Sequence, residues 1–429
     1  MAKKTLNPMT REERFSLRID GGRLMTRLSE LAQKGAREDG GCNRLAFTDS
    51  DKEGRDLVTR WMRELGMTVT VDAIGNAVAV RPGIENGPPV MTGSHIDTVR
   101  TGGRYDGNLG VLAGLEIIET LNQKDVATRR PVAVAFFSNE EGSRAAPDMM
   151  GSLVYVGGLG LDEAYDAVTI DGKRVGEELA RIGYRGEAET PGPVPHAYVE
   201  LHIEQGPVLE AEGFRIGAVT GVQGISWTEV TVKGQANHAG TTPMSYRHDA
   251  GYVAGEVAAF VRRLTREMGG AQVGTVGAIN LEPNLVNVVA MKALFTVDLR
   301  NTDEKLLQSA EARLDEFLGE IGDAEGVEIT TRRLARFEPV DFDPRVISLV
   351  EETAISLGAK VKRLPAGAGH DAQMLARVAP SGMVFTPSVK GISHNPREHT
   401  DPEDLELGAN VLLQVVLTLT ETDRLPPSS

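Results

Sequence analysis

Several segments place residues capable of acid–base or metal chemistry directly behind apolar runs. "GSHIDTVRTGGRYDG" (93–107) follows Pro89–Met91 and carries His95, Asp97 and Asp106. On an extended chain residues i and i+2 share a face, so His95 and Asp97 suit a metal ligand and the carboxylate that orients its other ring nitrogen. Taken alone, the pair fits an ordinary polar contact equally well. Asp106 stands in a glycine-flanked loop before a helical pattern, and reads either as an N-cap or as a carboxylate shared by two metals. "FFSNEEGSR" (136–144) ends another apolar run with Glu140 and Glu141. Neighbouring carboxylates repel, so the pair is either solvated or compensated by a metal or a shared proton. One of the two can then ligate while the other handles protons. "VELHIEQG" adds His202 and "GISHNPREHT" adds His394, each of which by itself is an ordinary core or surface histidine. The conjunction is what matters: four segments, three of them ending strand-like runs, bring three histidines and the carboxylates that bind Zn²⁺, Mn²⁺, Co²⁺ or Ni²⁺.

The elements that must position these groups can be read from periodicity. "VTVDAIGNAVAV", "PPVMTGSHID", "RPVAVAFFSNEEG" and "AYVELHIEQG" are β-rich, and "NLGVLAGLEIIETLNQ" is helical, which implies an α/β layer with its loops at the strand ends. "TDSDKEGRDLVTRWMRELG" has the opening spacing of a calcium loop but Arg60 at its twelfth position, where a bidentate Glu is needed. It reads as a helix with Ser50 and Glu53 as a capping box and Gly66 as its stop. From about residue 212 the order becomes βαββαβ through "VEITTRRLA", a ferredoxin-like pattern able to form its own domain. Strand and helix signals resume afterwards, to "LELGANVLLQVVLTLTE".

Composition narrows the partners. With 429 residues the chain exceeds one ordinary core. Its 46 basic and 61 acidic residues give a formal charge of −15, which disfavours nucleic acid and anionic lipid as partners. Cys42 is the only cysteine, which excludes an intrachain disulfide and fits a reducing cytoplasm. The N-terminal "MAKKTLNPMTREERFSLRID" lacks the apolar core of a signal peptide, and no run reaches the roughly 18 apolar residues of a membrane span. The expectation is a cytoplasmic protein with no membrane partner.

"GSHIDTV", "GGRYDG", "NEEGSR", "LHIEQGPVLE", "GQANHAGTTPM", "NVV", "DLR", "GAGHDAQ" and "GISHNPRE" together resemble the dinuclear metal-dependent amidohydrolases of the hydantoinase/carbamoylase family. These comprise N-carbamoyl-L-amino-acid hydrolases, allantoate amidohydrolases and β-ureidopropionases, within the aminoacylase/carboxypeptidase superfamily. The resemblance runs from about residue 15 to residue 420. It implies a discontinuous α/β catalytic domain (1–211 and 329–429) with an inserted ferredoxin-like βαββαβ lid and dimerisation domain (212–328). It also implies two divalent metal ions, one held by His95, Asp106 and His202, the other by Asp106, Glu141 and His394. Glu140 would be the general base and Asp97 the partner of His95. His238, Asn287 and Arg300 match substrate-binding positions, with Gln205 and His370 as further contacts, and His238 would reach the partner's site in a homodimer. Without the resemblance, Arg300 reads as readily as a surface ion pair with Asp298 or Asp303.

The expected reaction is hydrolysis of the carbamoyl group of an N-carbamoyl-L-amino acid to the amino acid, ammonia and carbon dioxide. Allantoate or N-carbamoyl-β-alanine is the nearest alternative substrate, followed by N-acyl-amino acids and dipeptides. A homologue that only binds such ligands has no use for a base beside a ligand, which Glu140 next to Glu141 supplies. "GGRYDGNLG" and "VGGLGL" lack the spacing of nucleotide-binding loops. Ala145 stands where the family usually carries an aromatic residue, which is expected to reshape the substrate pocket.

Overall fold

The computed structural model describes residues 11–423, so the first ten residues of the N-terminal segment read above lie outside them. The strands in chain order are β1 (Thr68–Val71), β2 (Ala77–Arg81), β3 (Val90–His95), β4 (Val132–Phe137), β5 (Ala197–Ile203), β6 (Ile216–Val222), β7 (Gly224–Lys233), β8 (Asn237–His238), β9 (Val273–Glu282), β10 (Val288–Val289), β11 (Lys292–Asn301), β12 (Glu328–Phe337), β13 (Val340–Asp341), β14 (Val361–Ala366) and β15 (Ser381–Thr386). They fall into two compact units, one being Val222–Val340 and the other the chain on either side of it.

The larger unit is built on a nine-stranded sheet of order β1-β2-β4-β3-β5-β15-β6-β13, with β14 on β6. Its centre, β4-β3-β5-β15, is parallel. Strands buried on both faces are largely apolar, and every residue of β3, β4, β5 and β15 is buried, including the few polar ones such as His95, Glu200 and His202. The register sets His95 beside Phe137 and His202 beside Phe385, so the carboxyl ends of these strands finish level, where sites in open α/β sheets form. The helix Asn108–Gln123 lies close on this sheet. A Cβ at Gly110 would stand 2.6 Å from the Leu201 carbonyl, and one at Gly114 2.9 Å from a Val134 methyl, so glycine alone permits that approach.

The helix read around "TDSDKEGRD" spans Asp49–Glu64, but its N-cap is Thr48, whose hydroxyl accepts from the Asp51 amide, in place of Ser50. Asp51 accepts from the Phe47 amide, one residue before the cap, and the Thr48 amide donates to the Leu45 carbonyl, so the cap lies two residues earlier than expected and the reciprocal box does not form.

The smaller unit has the order βαββαβ, with sheet order β12-β7-β11-β9 and all pairings antiparallel. The helices Ala250–Met268 and Glu304–Glu325 cover one face, burying Val257, Val261, Leu264, Leu314 and Leu318 against Phe295, Val297 and Leu299. Its borders are residues 221/222 and 340/341. The expected 211/212 and 328/329 fall short because β6 still pairs in the large sheet and β12 runs to Phe337 in the small one.

Candidate metal centre

His95 closes β3, and the loop after it returns Asp106 to the histidine. The return requires Gly107, whose φ is +66° and whose Cβ would stand 2.4 Å from His95 Nε2. Gly107 is also the N-cap of the following helix and makes no side-chain cap bond. The Asp106 carboxylate is therefore free of capping and faces histidines on both oxygens. His95 Nε2 is 3.5 Å and His202 Nε2 3.2 Å from Oδ1, and His394 Nε2 is 3.5 Å from Oδ2. His394 Nε2 also lies 3.2 Å from Glu141 Oε2, and His95 Nε2 3.3 Å from Glu140 Oε2.

Two ligand atoms each about 2.1 Å from one tetrahedral cation stand about 3.4 Å apart, so these separations are those of donors around shared ions. The donors form two groups, His95/Asp106/His202 and Asp106/Glu141/His394. Both imidazoles on the parallel strands have Nδ1 against a main-chain carbonyl, His95 on Asp97 at 3.0 Å and His202 on Ile203 at 2.8 Å, which fixes Nε2 as the nitrogen presented. A third group, Glu200/His202/His370, also clusters. It shares His202 with the first, and the Glu200 oxygens already accept from Ser94 Oγ, Tyr198 Oη and the Ala372 amide.

Asp97 departs from expectation. β3 ends at His95, so the alternation that would align residue 97 with it no longer applies, and the Asp97 carboxylate is 3.9 Å from His95 Nδ1. It accepts instead from the amides of Glu140 at 3.2 Å and Glu141 at 3.3 Å, and so holds the loop that carries both. Asn139, at φ +54°, turns that loop, with its side-chain amide donating to the carbonyls of Ala145 and Pro147. The two adjacent carboxylates thereby reach different histidines.

The electrostatics follow from burial of opposed charges. Burial opposes charge on His95, but Glu140, Asp106 and Asp97 outweigh it and raise its pKa well above the ordinary value. Burial likewise opposes ionisation of Asp106, yet His202 and His95 hold its carboxyl well below the usual range. Glu140 is pushed well above that range by burial and by the charges of Asp371, Glu141 and Asp97, against the pull of His95. A hydrogen bond to Glu141 lifts His394 to about 9.

Of the groups next to these donors, Glu398 is one that the sequence reading misses, while Gln205 and His370 are the further contacts it names. Glu398 accepts from the amides of Tyr105 and Asp106 with one oxygen and from Ser393 Oγ with the other. Ser393 Oγ also donates to Asp106 Oδ2 at 2.9 Å, tying the His394 loop to the Asp106 loop. Gln205, at φ +58°, donates Nε2 to Asp106 Oδ2 at 2.8 Å while its buried Oε1 has no partner. His370 sits 4.5 Å from the His202 ring with both nitrogens unpartnered, and burial depresses its pKa. Ala145 is buried in an apolar core with Phe47, Ile74 and Met150.

The remaining candidates lie in the smaller unit. His238 pairs with Val288 across the β8–β10 ribbon, and the Ala239 amide donates to the Asn287 carbonyl, so His238 and Asn287 are neighbours. Arg300 grips Asp298 at two points and lies over the Trp227 ring.

Comparison with known proteins decides the family. The model for peptidase family M20/M25/M40 matches residues 91–418. The chain belongs to this family. An N-carbamoyl-L-amino-acid amidohydrolase from Rhizobium meliloti is 41% identical over 94% of this chain and 97% of its own. A ureidoglycolate hydrolase from Arabidopsis thaliana is 34% identical over 92% of this chain and 86% of its own. A solved amidase of the hydantoinase/carbamoylase family from Burkholderia multivorans superposes with TM-score 0.90 at 46% identity, covering 94% and 99% of the two chains.

Proposed function

We propose that this M20-family chain is a hydrolase of carbon–nitrogen bonds that removes the carbamoyl group of N-carbamoyl-L-amino acids. The observation that carries the reading is the pairing of two three-donor groups on one carboxylate, Asp106, with a buried second carboxylate, Glu140, beside them. The greater identity to the carbamoyl-amino-acid enzyme than to the ureidoglycolate enzyme favours the carbamoyl substrate.

His95, Asp106 and His202 would hold one divalent ion, and Asp106, Glu141 and His394 another. Ions held there supply Lewis-acid charge at the substrate carbonyl and lower the pKa of water. Glu140, whose burial raises its proton affinity, takes the proton of the attacking water and returns it to the leaving nitrogen. Water adds to the ureido carbonyl and one carbon–nitrogen bond breaks; the carbamic acid so formed loses carbon dioxide as its remaining carbon–nitrogen bond breaks, and the amino acid, ammonia and carbon dioxide result. Asp97 keeps the Glu140 carboxylate in place through its amide. Gln205 has an unused buried acceptor for a ureido N–H, His370 presents neutral ring nitrogens, and the planar fork of Arg300 suits an α-carboxylate.

The deciding measurement is turnover of N-carbamoyl-L- and D-amino acids, β-ureidopropionate, allantoate, ureidoglycolate and N-acetyl amino acids with Mn²⁺, Co²⁺, Ni²⁺ and Zn²⁺ in turn. The expected result is the highest kcat/KM on an N-carbamoyl-L-amino acid. A higher value on allantoate or ureidoglycolate with the same metal overturns the substrate assignment.

The protein is further proposed to be a homodimer whose sites take His238 from the partner. The apolar side chains exposed near the ribbon, Met244 at 77%, Leu285 at 59% and Val286 at 104%, support an interface there. Mixing Glu140→Gln with His238→Ala under subunit exchange gives heterodimers in which one site inherits both defects and the other neither. Random pairing makes about half the dimers mixed, so about a quarter of wild-type activity should return. No return despite confirmed exchange places His238 within its own chain's chemistry.

A further inference from the structure

Arg44 is fully buried, yet no carboxylate among the described residues pairs with it. A buried cation without a counter-ion is costly unless its donors are all used. Here the acceptors are neutral and come from three places. Nε donates to the Ile96 carbonyl at 2.6 Å, Nη1 to the carbonyls of Leu31 and Lys34 at 2.9 and 2.6 Å, and Nη2 to Asn108 Oδ1 at 2.7 Å. Leu31 and Lys34 lie at the C-terminal end of the helix Gly21–Ala32, whose dipole favours a cation. The main chain adds a two-way link, Arg44 N–H to Thr98 Oγ1 at 2.8 Å and Thr98 N–H to the Arg44 carbonyl at 3.0 Å. Space for the side chain depends on Gly54, where a Cβ would stand 2.8 Å from Arg44 Cδ.

The acceptors on the far side are those of the metal centre's own loops. Ile96 and Thr98 flank Asp97, which holds the amides of Glu140 and Glu141. Asn108, fixed by the guanidinium, donates its side-chain amide to the Asp106 carbonyl at 3.1 Å and its main-chain amide to the same oxygen at 2.7 Å. One planar group therefore ties together both ends of the 96–107 loop, the end that carries Asp97 and the end that carries Asp106.

We propose that Arg44 is a positioning residue for the hydrolysis, a buried fork that sets the Asp97 end and the Asp106 end of the 96–107 loop at a fixed separation. The proposal rests on the metal reading above for its effect on activity, and on geometry alone for its effect on the loop. Lysine keeps the charge, but three N–H donors on one nitrogen cannot serve four oxygen acceptors on three segments.

The experiment compares wild type, Arg44→Lys and Asn108→Ala by three readouts: metal affinity in competition with a chelator, kcat and KM, and amide exchange of the 94–110 segment in the metal-free protein. In both variants metal affinity and kcat should fall about 10- to 100-fold with little change in KM, as for other groups that orient metal ligands. Exchange across 94–110 should quicken while the helix Ala250–Met268, in the other unit, exchanges as in wild type. Variants that lose thermal stability but keep wild-type metal affinity, kcat per folded molecule and 94–110 exchange overturn the proposal. If Arg44→Lys does not fold, Asn108→Ala decides, since it cuts the same link from the other end. A wild-type protein that takes up no metal sinks the metal reading, and the exchange measurement still judges Arg44.

Discussion

Glu140→Gln should fold, keep its metal through dialysis and lose about 10²- to 10⁴-fold in kcat, the range expected when a positioned base is removed. The amide has nearly the same shape and can still face His95, now 3.3 Å from Glu140 Oε2, and its main-chain link to Asp97 is untouched. What it cannot do is carry a proton between water and the leaving nitrogen. Glu141→Gln is the control. It weakens a donor 3.2 Å from His394 and should lose metal as well as activity. Metal analysis beside the kinetics separates the two roles, and near-normal turnover in Glu140→Gln would remove the proposed mechanism.

Asp106→Asn should have the larger effect, with neither ion retained and activity down by about 10⁴-fold or more, as when groups acting as a unit are broken. Both oxygens of Asp106 face histidines, three in all, and two further donors, Gln205 and Ser393, converge on Oδ2. Asparagine retains the size of the side chain but brings N–H donors where only acceptors fit, and its neutral oxygen cannot bridge two cations. The surrounding fold has its own support, since Glu398 binds the Asp106 amide and not its side chain. Circular dichroism should therefore match wild type while metal analysis fails. Two ions retained per chain in Asp106→Asn would show that the bridge lies elsewhere.

Part of the donor cluster was legible because some of its histidines and carboxylates interrupt or follow an apolar run, and the end of a buried parallel strand is where a polar residue has an outlet. His95, Glu140 and His202 are of this kind. The helix Asn108–Gln123 matched its periodic segment. Asp97 meets His95 Nδ1 with its main-chain carbonyl in place of its carboxylate because the alternation of β3 ends at His95. The N-cap moved from Ser50 to Thr48 because several residues able to cap stand in a row and only the chain path selects one. Arg44 and Glu398 left no trace in periodicity or spacing. Their partners are main-chain groups distant along the chain, and a backbone carbonyl has no letter in a sequence.

The sheet order also bears on how the polypeptide is made. β15 inserts between β5 and β6, although about 180 residues are synthesised between β5 and β15. Until Thr386 has left the ribosome, the edge of β5 that β15 will cover is unpaired, the kind of surface that recruits other strands. Val222–Val340 emerges meanwhile with every strand of its own sheet present, so it can close while the older, upstream chain still waits. The smaller unit can thus close before the sheet upstream of it is complete, and the donor group Asp106/Glu141/His394 is complete only once His394 has been made.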